Sequence, residues 1–271
     1  MDDEPAENIS GGSSGGGAFA EFGSTDAGTR AEAVVDRLGE RYWQKQYGGR
    51  DGFECLVRTI LSQNTSDKAS QPAHDALMER YGSGNDLAVS LAAAQRSELA
   101  ETIASAGLYN QKSERIIAIA EDIIDEYGDA ESFDRFVRED DPETVRETLL
   151  EMNGVGPKTA DCVLLFAGGR SGVFPVDTHV HRIARRMGLA PAEADHEGVR
   201  EALETAVPAE KCGFGHTAMI QFGREFCLAR EPACLEDPEA CPMADLCDQV
   251  GVYPATGEVL DPAEVHDSGK E

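Results

Sequence analysis

The chain is short of positive charge. Its 271 residues carry 24 Lys plus Arg against 51 Asp plus Glu, a formal net charge of −27, and lysine occurs only at Lys45, Lys68, Lys112, Lys158, Lys211 and Lys270. On its face this argues against a nucleic-acid partner, whose phosphates call for a basic surface. The acid is spread along the whole chain and arginine supplies most of the positive charge, so a halophilic source is expected. At roughly 1 M salt the Debye length is about 3 Å, so distant repulsion is screened, and counterion release becomes a weak driving force. A phosphate-binding protein in that solvent would rely on short-range hydrogen bonds, backbone donors and inserted side chains. Long apolar runs are also absent. None approaches the roughly 18 residues of a membrane span, so no membrane partner is expected. The acidic, Gly/Ser-rich beginning has neither the basic region nor the apolar stretch of a secretory signal, which implies a cytoplasmic protein. Its seven cysteines are then unlike a disulfide framework.

What is present is helical periodicity in a chain that is 41% hydrophobic, enough for a substantial core. Apolar residues recur at three- and four-residue steps in 31–43, 52–61, 67–81, 96–106, 111–127, 141–152, 158–167, 177–187, 196–206 and 214–226. Gly, Pro and Asn punctuate the gaps, as at Gly82-Ser83-Gly84-Asn85 and Gly168-Gly169. There is no strand alternation and no long-period repeat, so the expected class is all-α. Residues 1–25 read as a disordered tail and 256–271 as a polar, frayed C-terminal tail.

The most informative stretch runs from Leu149 to Arg186. Two helical patterns flank Asn153-Gly154-Val155-Gly156-Pro157. Glycine at both positions allows positive φ and close backbone approach, Val155 can anchor the turn, and Pro157 suits the first turn of the next helix. The free N–H groups at that helix start form a natural phosphate site. Lys158 follows, a candidate nucleophile, and Asp177 stands 19 residues further on as its electrostatic partner. A solvated lysine and a capping aspartate are the plain alternatives, although an aspartate can cap with one oxygen and keep the other available. His179 and His181 suit structural roles beside them.

Cys55, Cys162 and Cys212 sit in apolar helical segments and read as buried thiols. Cys227, Cys234, Cys241 and Cys247 lie close together. Four thiolates in so short a segment suit a [4Fe–4S] cluster or zinc, though the short C-x₂₋₄-C knuckle usual for zinc is absent.

GVGPKTAD followed by VDTHVHR resembles the helix-hairpin-helix and catalytic-aspartate signature of the endonuclease III family of DNA glycosylases. LVRTILSQNTSD at 56–67, AGLYNQKSERI at 106–116, VPAE at 207–210 and GREFCLAREPAC at 223–234 are similar to the family in the expected order, so the likeness covers about residues 30–250. It implies a bifunctional base-excision-repair enzyme: a DNA N-glycosylase for oxidised or damaged pyrimidines that also cleaves the abasic site by β-elimination through a lysine Schiff base. The implied partner is double-stranded DNA with a damaged base or an abasic site, and a monomer is expected.

The same resemblance makes Lys158 and Asp177 catalytic, and makes Cys227, Cys234, Cys241 and Cys247 the ligands of a [4Fe–4S] cluster. Six residues separate Cys234 from Cys241 where the family has two, an acidic LEDPEA bulge that can loop out. The cluster would fix the loop 228–233, with Arg230, against a phosphate. Gly154, Val155 and Gly156 would hold the DNA backbone. Asn64 or its neighbour Gln63, together with Leu108, would fill the space left by the extruded nucleotide, and Lys112 would meet a phosphate or solvent. Two helical lobes are implied: a barrel of about 46–170 containing the hairpin at about 143–167, and 26–45 plus 171–255 carrying the cluster, with Lys158 and Asp177 meeting between them.

Two other functions remain. One is a monofunctional mismatch or adenine glycosylase of the same fold, against which stands Thr59 where adenine-specific relatives carry a glutamate. The other is a non-catalytic helix-hairpin-helix DNA-binding protein, against which stands the joint presence of Lys158 and Asp177.

Overall fold

A computed structural model describes residues 7–8, 22, 27–43 and 49–265. Among these the chain is all-α, with twelve α-helices and two minimal strand pairs. Its contacts divide it into two compact units: a mid-chain unit, 47–170, and a terminal unit formed by 1–46 with 171–271.

The terminal unit begins with α1 (Arg30–Gly39), capped by Thr29, whose hydroxyl accepts from Glu32 N. The helical pattern continues in sequence to Trp43, but α1 stops at Gly39, and Tyr42–Trp43 form a parallel pair with Glu7–Asn8. Of the stretch 1–25 read as a tail, Glu7–Asn8 therefore pair with a strand and Phe22 rests 4.5 Å from the Phe214 ring. The remainder of that stretch lies outside the described residues.

The mid-chain unit holds α2 (Gly52–Ser62), α3 (Asp67–Tyr81), α4 (Gly84–Ala92), α5 (Arg96–Thr102), α6 (Tyr109–Tyr127), α7 (Ala130–Glu139), α8 (Pro142–Glu151) and α9 (Pro157–Phe166). Its axis is α2, which buries Phe53, Leu56, Val57, Ile60 and Leu61 and packs on α3, α4, α6, α7 and α9. Two of these helices fall outside the periodic segments. In α4 the run LAVSLAAA has too little polar contrast for its period to show, although Leu87, Ala88 and Leu91 are buried. In α7 only Phe133, Phe136 and Val137 are large and apolar among charged residues, and the Asp129 cap with burial of Phe133 and Val137 decides the helix. The segment 96–106 breaks at Ile103 into α5 and a 3₁₀ turn, Ala104–Ala106.

The chain then returns to the terminal unit with α10 (Thr178–Arg186), α11 (His196–Ala206) and α12 (Ala209–Glu225). Here α1 packs on α11 and α12, and α10 packs on both as well. Lys211 of α12, 8% exposed, places Nζ 2.6 Å from Asp36 and 2.8 Å from Glu32 of α1. The expected frayed end is corrected as far as Val265. Val252–Tyr253 pair antiparallel with Glu258–Val259, and Asp261 takes both its oxygens to Arg185 at 2.9 and 2.7 Å. Both bonds come from Nη2 and are charge-assisted. Residues 266–271 lie outside the described residues.

Part of the acid has a local use. Asp51, Asp129, Asp141, Asp177 and Asp195 each cap a helix through a side-chain oxygen. An aspartate there satisfies an orphan amide and complements the positive helix end.

Candidate active site

In the mid-chain unit, α8 and α9 enclose the glycine turn. Met152 N bonds to Leu149 O and Val155 N to Met152 O, while Val155 is 6% exposed and anchors the turn. Only Gly154 uses the left-handed freedom of glycine, at φ 86, and a Cβ there would strike the Arg115 side chain. Gly156 is extended, at φ −104, and a Cβ on it would meet nothing within 4 Å. Gly156 is the N-cap residue of α9. No side chain caps that helix, and Pro157 contributes no N–H. Thr159 N and Ala160 N both donate to Gly156 O, so the start of α9 offers the positive end of the helix dipole rather than a row of open amides. Lys158, half-buried, is the second residue of α9.

Behind Lys158 the hairpin is locked by a buried ion pair absent from the sequence-based expectations. Arg146 Nε on α8 meets Asp161 Oδ1 on α9 at 2.7 Å, with side-chain exposures of 9% and 2%. The sequence signal was an aspartate inside the apolar run ADCVLLF. A buried carboxylate needs a partner, but sequence does not identify it.

The structure separates Gln63 from Asn64. The Gln63 amide is turned inward: Nε2 donates to Gly154 O at 3.0 Å and to Thr159 Oγ1 at 3.1 Å, while Oε1 accepts from Arg115 at 3.2 Å. Gln63 therefore braces the hairpin, its donors and acceptor engaged within the protein. Asn64 is exposed, in left-handed backbone at φ 52. Leu108 is 52% exposed, also left-handed at φ 47, with Tyr109 beside it at 43%.

The expectation that Lys112 meets a phosphate or solvent is overturned. Its side chain is 1% exposed, and Nζ donates to Leu61 O at 2.8 Å, Thr65 Oγ1 at 2.8 Å and Ala106 O at 2.9 Å. All three ammonium protons are used. Burial, helped by the nearby Arg115 charge, pushes this ammonium down to about 8.

In the terminal unit, Asp177 caps α10. Its Oδ1 accepts from His179 N and Val180 N, each at 2.9 Å, and Oδ2 takes no part in the cap. His181 Nε2 bonds with Ala194 O at 2.9 Å, and its ring stacks on His196 at 4.1 Å. His179 Nδ1 lies 3.2 Å from Arg182 Nη2. Burial lowers both imidazoles below their ordinary value.

Two arginines one turn apart on α10 hold the loop after α12. Arg182 donates to Cys227 O, and Arg186 donates to Leu228 O at 2.7 Å and Ala229 O at 2.6 Å. Arg230 follows, fully on the surface. Cys227, Cys234, Cys241 and Cys247 line one small cavity with Arg186, Phe222 and Phe226. The LEDPEA insertion folds into short 3₁₀ turns at Ala233–Leu235 and Pro238–Ala240, which leave Cys234 and Cys241 on the same cavity. Burial, reinforced by the neighbouring sulfurs, pushes Cys241 up to about 11 and Cys247 up to about 12. Among the described residues no group of three or more His, Cys, Asp or Glu could hold a metal ion.

A family model described as the HhH-GPD superfamily of base excision DNA repair proteins matches residues 57–209. Endonuclease III of Thermotoga maritima is 33% identical over 198 residues, covering 73% of this chain and 83% of that protein. Endonuclease III of Bacillus subtilis is 33% identical over 219 residues, covering 80% and 90%. Among solved structures, a trapped covalent intermediate of endonuclease III with DNA superposes with a TM-score of 0.62 at 30% identity, over 76% of this chain and 87% of the other.

Proposed function

The chain belongs to the HhH-GPD superfamily of base excision DNA repair proteins, among the endonuclease III enzymes, and is a DNA N-glycosylase and abasic-site lyase; within that activity we propose that Lys158 is the amine nucleophile and Asp177 the carboxylate that stabilises positive charge on the sugar. The observation that carries this is the placement of half-buried Lys158 one residue into α9, at the positive end of a helix that no side chain caps. A backbone phosphate drawn to the positive end of α9 would bring C1′ of the neighbouring nucleotide to the amine.

The unprotonated amine attacks C1′, and the glycosidic bond breaks with its electron pair leaving on the base. Ring opening gives a protonated Schiff base between C1′ and Nζ. Loss of a C2′ proton then expels the 3′ phosphate, and water hydrolyses the Schiff base to regenerate Lys158. Asp177, with Oδ1 fixed by two amides, keeps Oδ2 for the cationic sugar. The substrates are duplexes with oxidised or damaged pyrimidines, and abasic sites. The monofunctional alternative gains nothing from Thr59, which is 7% exposed and bonded to Cys55 O within its own helix.

We infer further that Cys227, Cys234, Cys241 and Cys247 hold a [4Fe–4S] cluster. A single ion needs donors converging within about 2.3 Å of one point, whereas these four surround a cavity. The depressed acidity of Cys234, Cys241 and Cys247 keeps those three thiols protonated until a cationic group displaces the protons. Gln249 N at 3.4 Å from Cys247 Sγ, and Arg186 Nη1 at 3.7 Å from Cys227 Sγ, are donors suited to thiolate. When bound, the cluster supplies structural cross-linking of the loop that bears Arg230.

Borohydride with abasic duplex DNA tests the nucleophile. The wild type forms a covalent protein–DNA complex and Lys158→Ala forms none while still binding the duplex. A covalent complex of undiminished yield with Lys158→Ala refutes the assignment.

A further inference from the structure

Two loops of the mid-chain unit carry Asn64 and Leu108, and one side chain ties those loops together. Asn64 lies between α2 and α3, and Leu108 between the 3₁₀ turn and α6. Both hold left-handed backbone without being glycine. Such conformations persist only where the surroundings over-determine them. Lys112, in the first turn of α6, supplies that determination. Its acceptors Leu61 O and Thr65 Oγ1 bracket Asn64 in sequence, and its third acceptor, Ala106 O, lies two residues before Leu108. The Thr65 hydroxyl closes the ring by bonding to Ala106 O itself.

None of these three acceptors is a carboxylate. A methionine would fill the same space without the desolvation of a charge. A cation in the first turn of a helix also opposes the helix dipole. Packing alone therefore does not explain a lysine here, whereas three bonds from one centre to two loops do.

We propose that Lys112 is a positioning residue for nucleotide extrusion, fixing the loop of Asn64 to the loop of Leu108 so that both side chains enter the duplex as one wedge. This rests on Asn64 and Leu108 being the residues that occupy the vacated space. Lys112 then affects the step that takes the nucleotide out of the stack and leaves untouched the chemistry at a sugar that is already accessible.

The test uses the full-length protein and Lys112→Met, with Thr65→Val made in parallel as the milder cut of the same link. Excision from a damaged duplex is compared with borohydride trapping on a single-stranded abasic oligonucleotide, where no extrusion is needed. Lys112→Met is expected to slow duplex excision about 10- to 100-fold, the effect of losing hydrogen bonds to a charged donor, with single-strand trapping within about threefold of wild type. Thr65→Val follows the same pattern with a smaller loss, and carries the test if Lys112→Met does not fold. The fluorescence of 2-aminopurine opposite the lesion should lose its rise on binding in both variants. Added to Asn64→Ala/Leu108→Ala, Lys112→Met should cost less than about twofold more, because its effect runs through the wedge. Equal losses on duplex and single strand, or the full loss on the wedge-less background, overturn the proposal. A wedge-less protein that unstacks and excises normally overturns the wedge assignment instead.

Discussion

Replacing Arg146 by methionine should be among the most damaging single changes in the hairpin. The side chain is 9% exposed and its partner Asp161 2%, so the pair is shielded from water and salt. Methionine fills much of the volume but leaves the Asp161 carboxylate buried with its arginine gone. Removing one partner of a buried pair costs about 3–5 kcal/mol, a large part of the roughly 5–15 kcal/mol that holds a typical domain. At about 2–4 °C per kcal/mol for a chain of this size, the melting temperature should fall by about 6–20 °C. Thermal unfolding followed by circular dichroism measures this directly. Repeating it in added salt should leave the difference nearly unchanged, since screening acts on exposed charges. The double variant Arg146→Met/Asp161→Leu removes both charges and should recover most of the loss, because a well-packed apolar pair competes with a buried ionic one. A double variant no more stable than Arg146→Met would refute the reasoning, as would a single-variant cost below about 1 kcal/mol. Asp161 lies three residues beyond Lys158, so abasic-site cleavage should decline alongside stability.

Gly154→Ala places a Cβ in left-handed backbone against Arg115; it should cost about 1–2 kcal/mol in denaturant unfolding, and a neutral result would show that the turn can relax. Cys241→Ser should lower both iron and acid-labile sulfide per chain and bleach the visible sulfur-to-iron absorption, whereas full retention of both would remove Cys241 from the ligand set. Burial holds His74, His179 and His181 below the ordinary 6.5. The unfolded chain therefore takes up protons first as the pH falls through about 6.5, and these groups should make stability decline from there downward. His181→Phe keeps a ring against His196 and should flatten the decline measured by urea unfolding between neutral and mildly acidic pH; an unchanged slope would remove His181 from the account.

Most of the helices were legible in the sequence because their apolar spacing is set locally, by the face each one buries. The missed ones show the limit. For α4 the period was blurred by a nearly continuous apolar run, and for α7 three apolar residues carried too little pattern. The glycine turn was legible for the same local reason, since a Gly-Val-Gly-Pro sequence restricts the backbone by itself. Its refinement was not. Gly154 alone takes the left-handed conformation, with the Arg115 side chain of α6 standing where a Cβ would go, whereas Gly156 is extended. Gln63 and Asn64 are adjacent and chemically alike, and only the distant Gly154 O and Thr159 Oγ1 decide that the first faces inward.

The lysines carry the same argument to function. A chain with a net charge of −27 would be expected to place its few lysines on the surface, where they could meet phosphate. Among the described residues Lys68 is exposed, Lys158 is half-buried, and Lys112 and Lys211 are buried against oxygen acceptors. Lys112 and Lys158 each stand in the first turns of a helix beside a loop of the mid-chain unit, and nothing in the neighbouring residues distinguishes their fates. The difference comes from contacts far apart in the chain: Lys112 reaches Leu61 O, 51 positions away, while Lys158 stays half-buried at the start of α9. Burial converts the first into a clasp between loops, and partial exposure leaves the second within reach of a substrate. A scarcity of lysine that looked like an argument against DNA chemistry is compatible with it in the folded chain, because one of the few lysines ties two loops together and another stays partly exposed at a helix start.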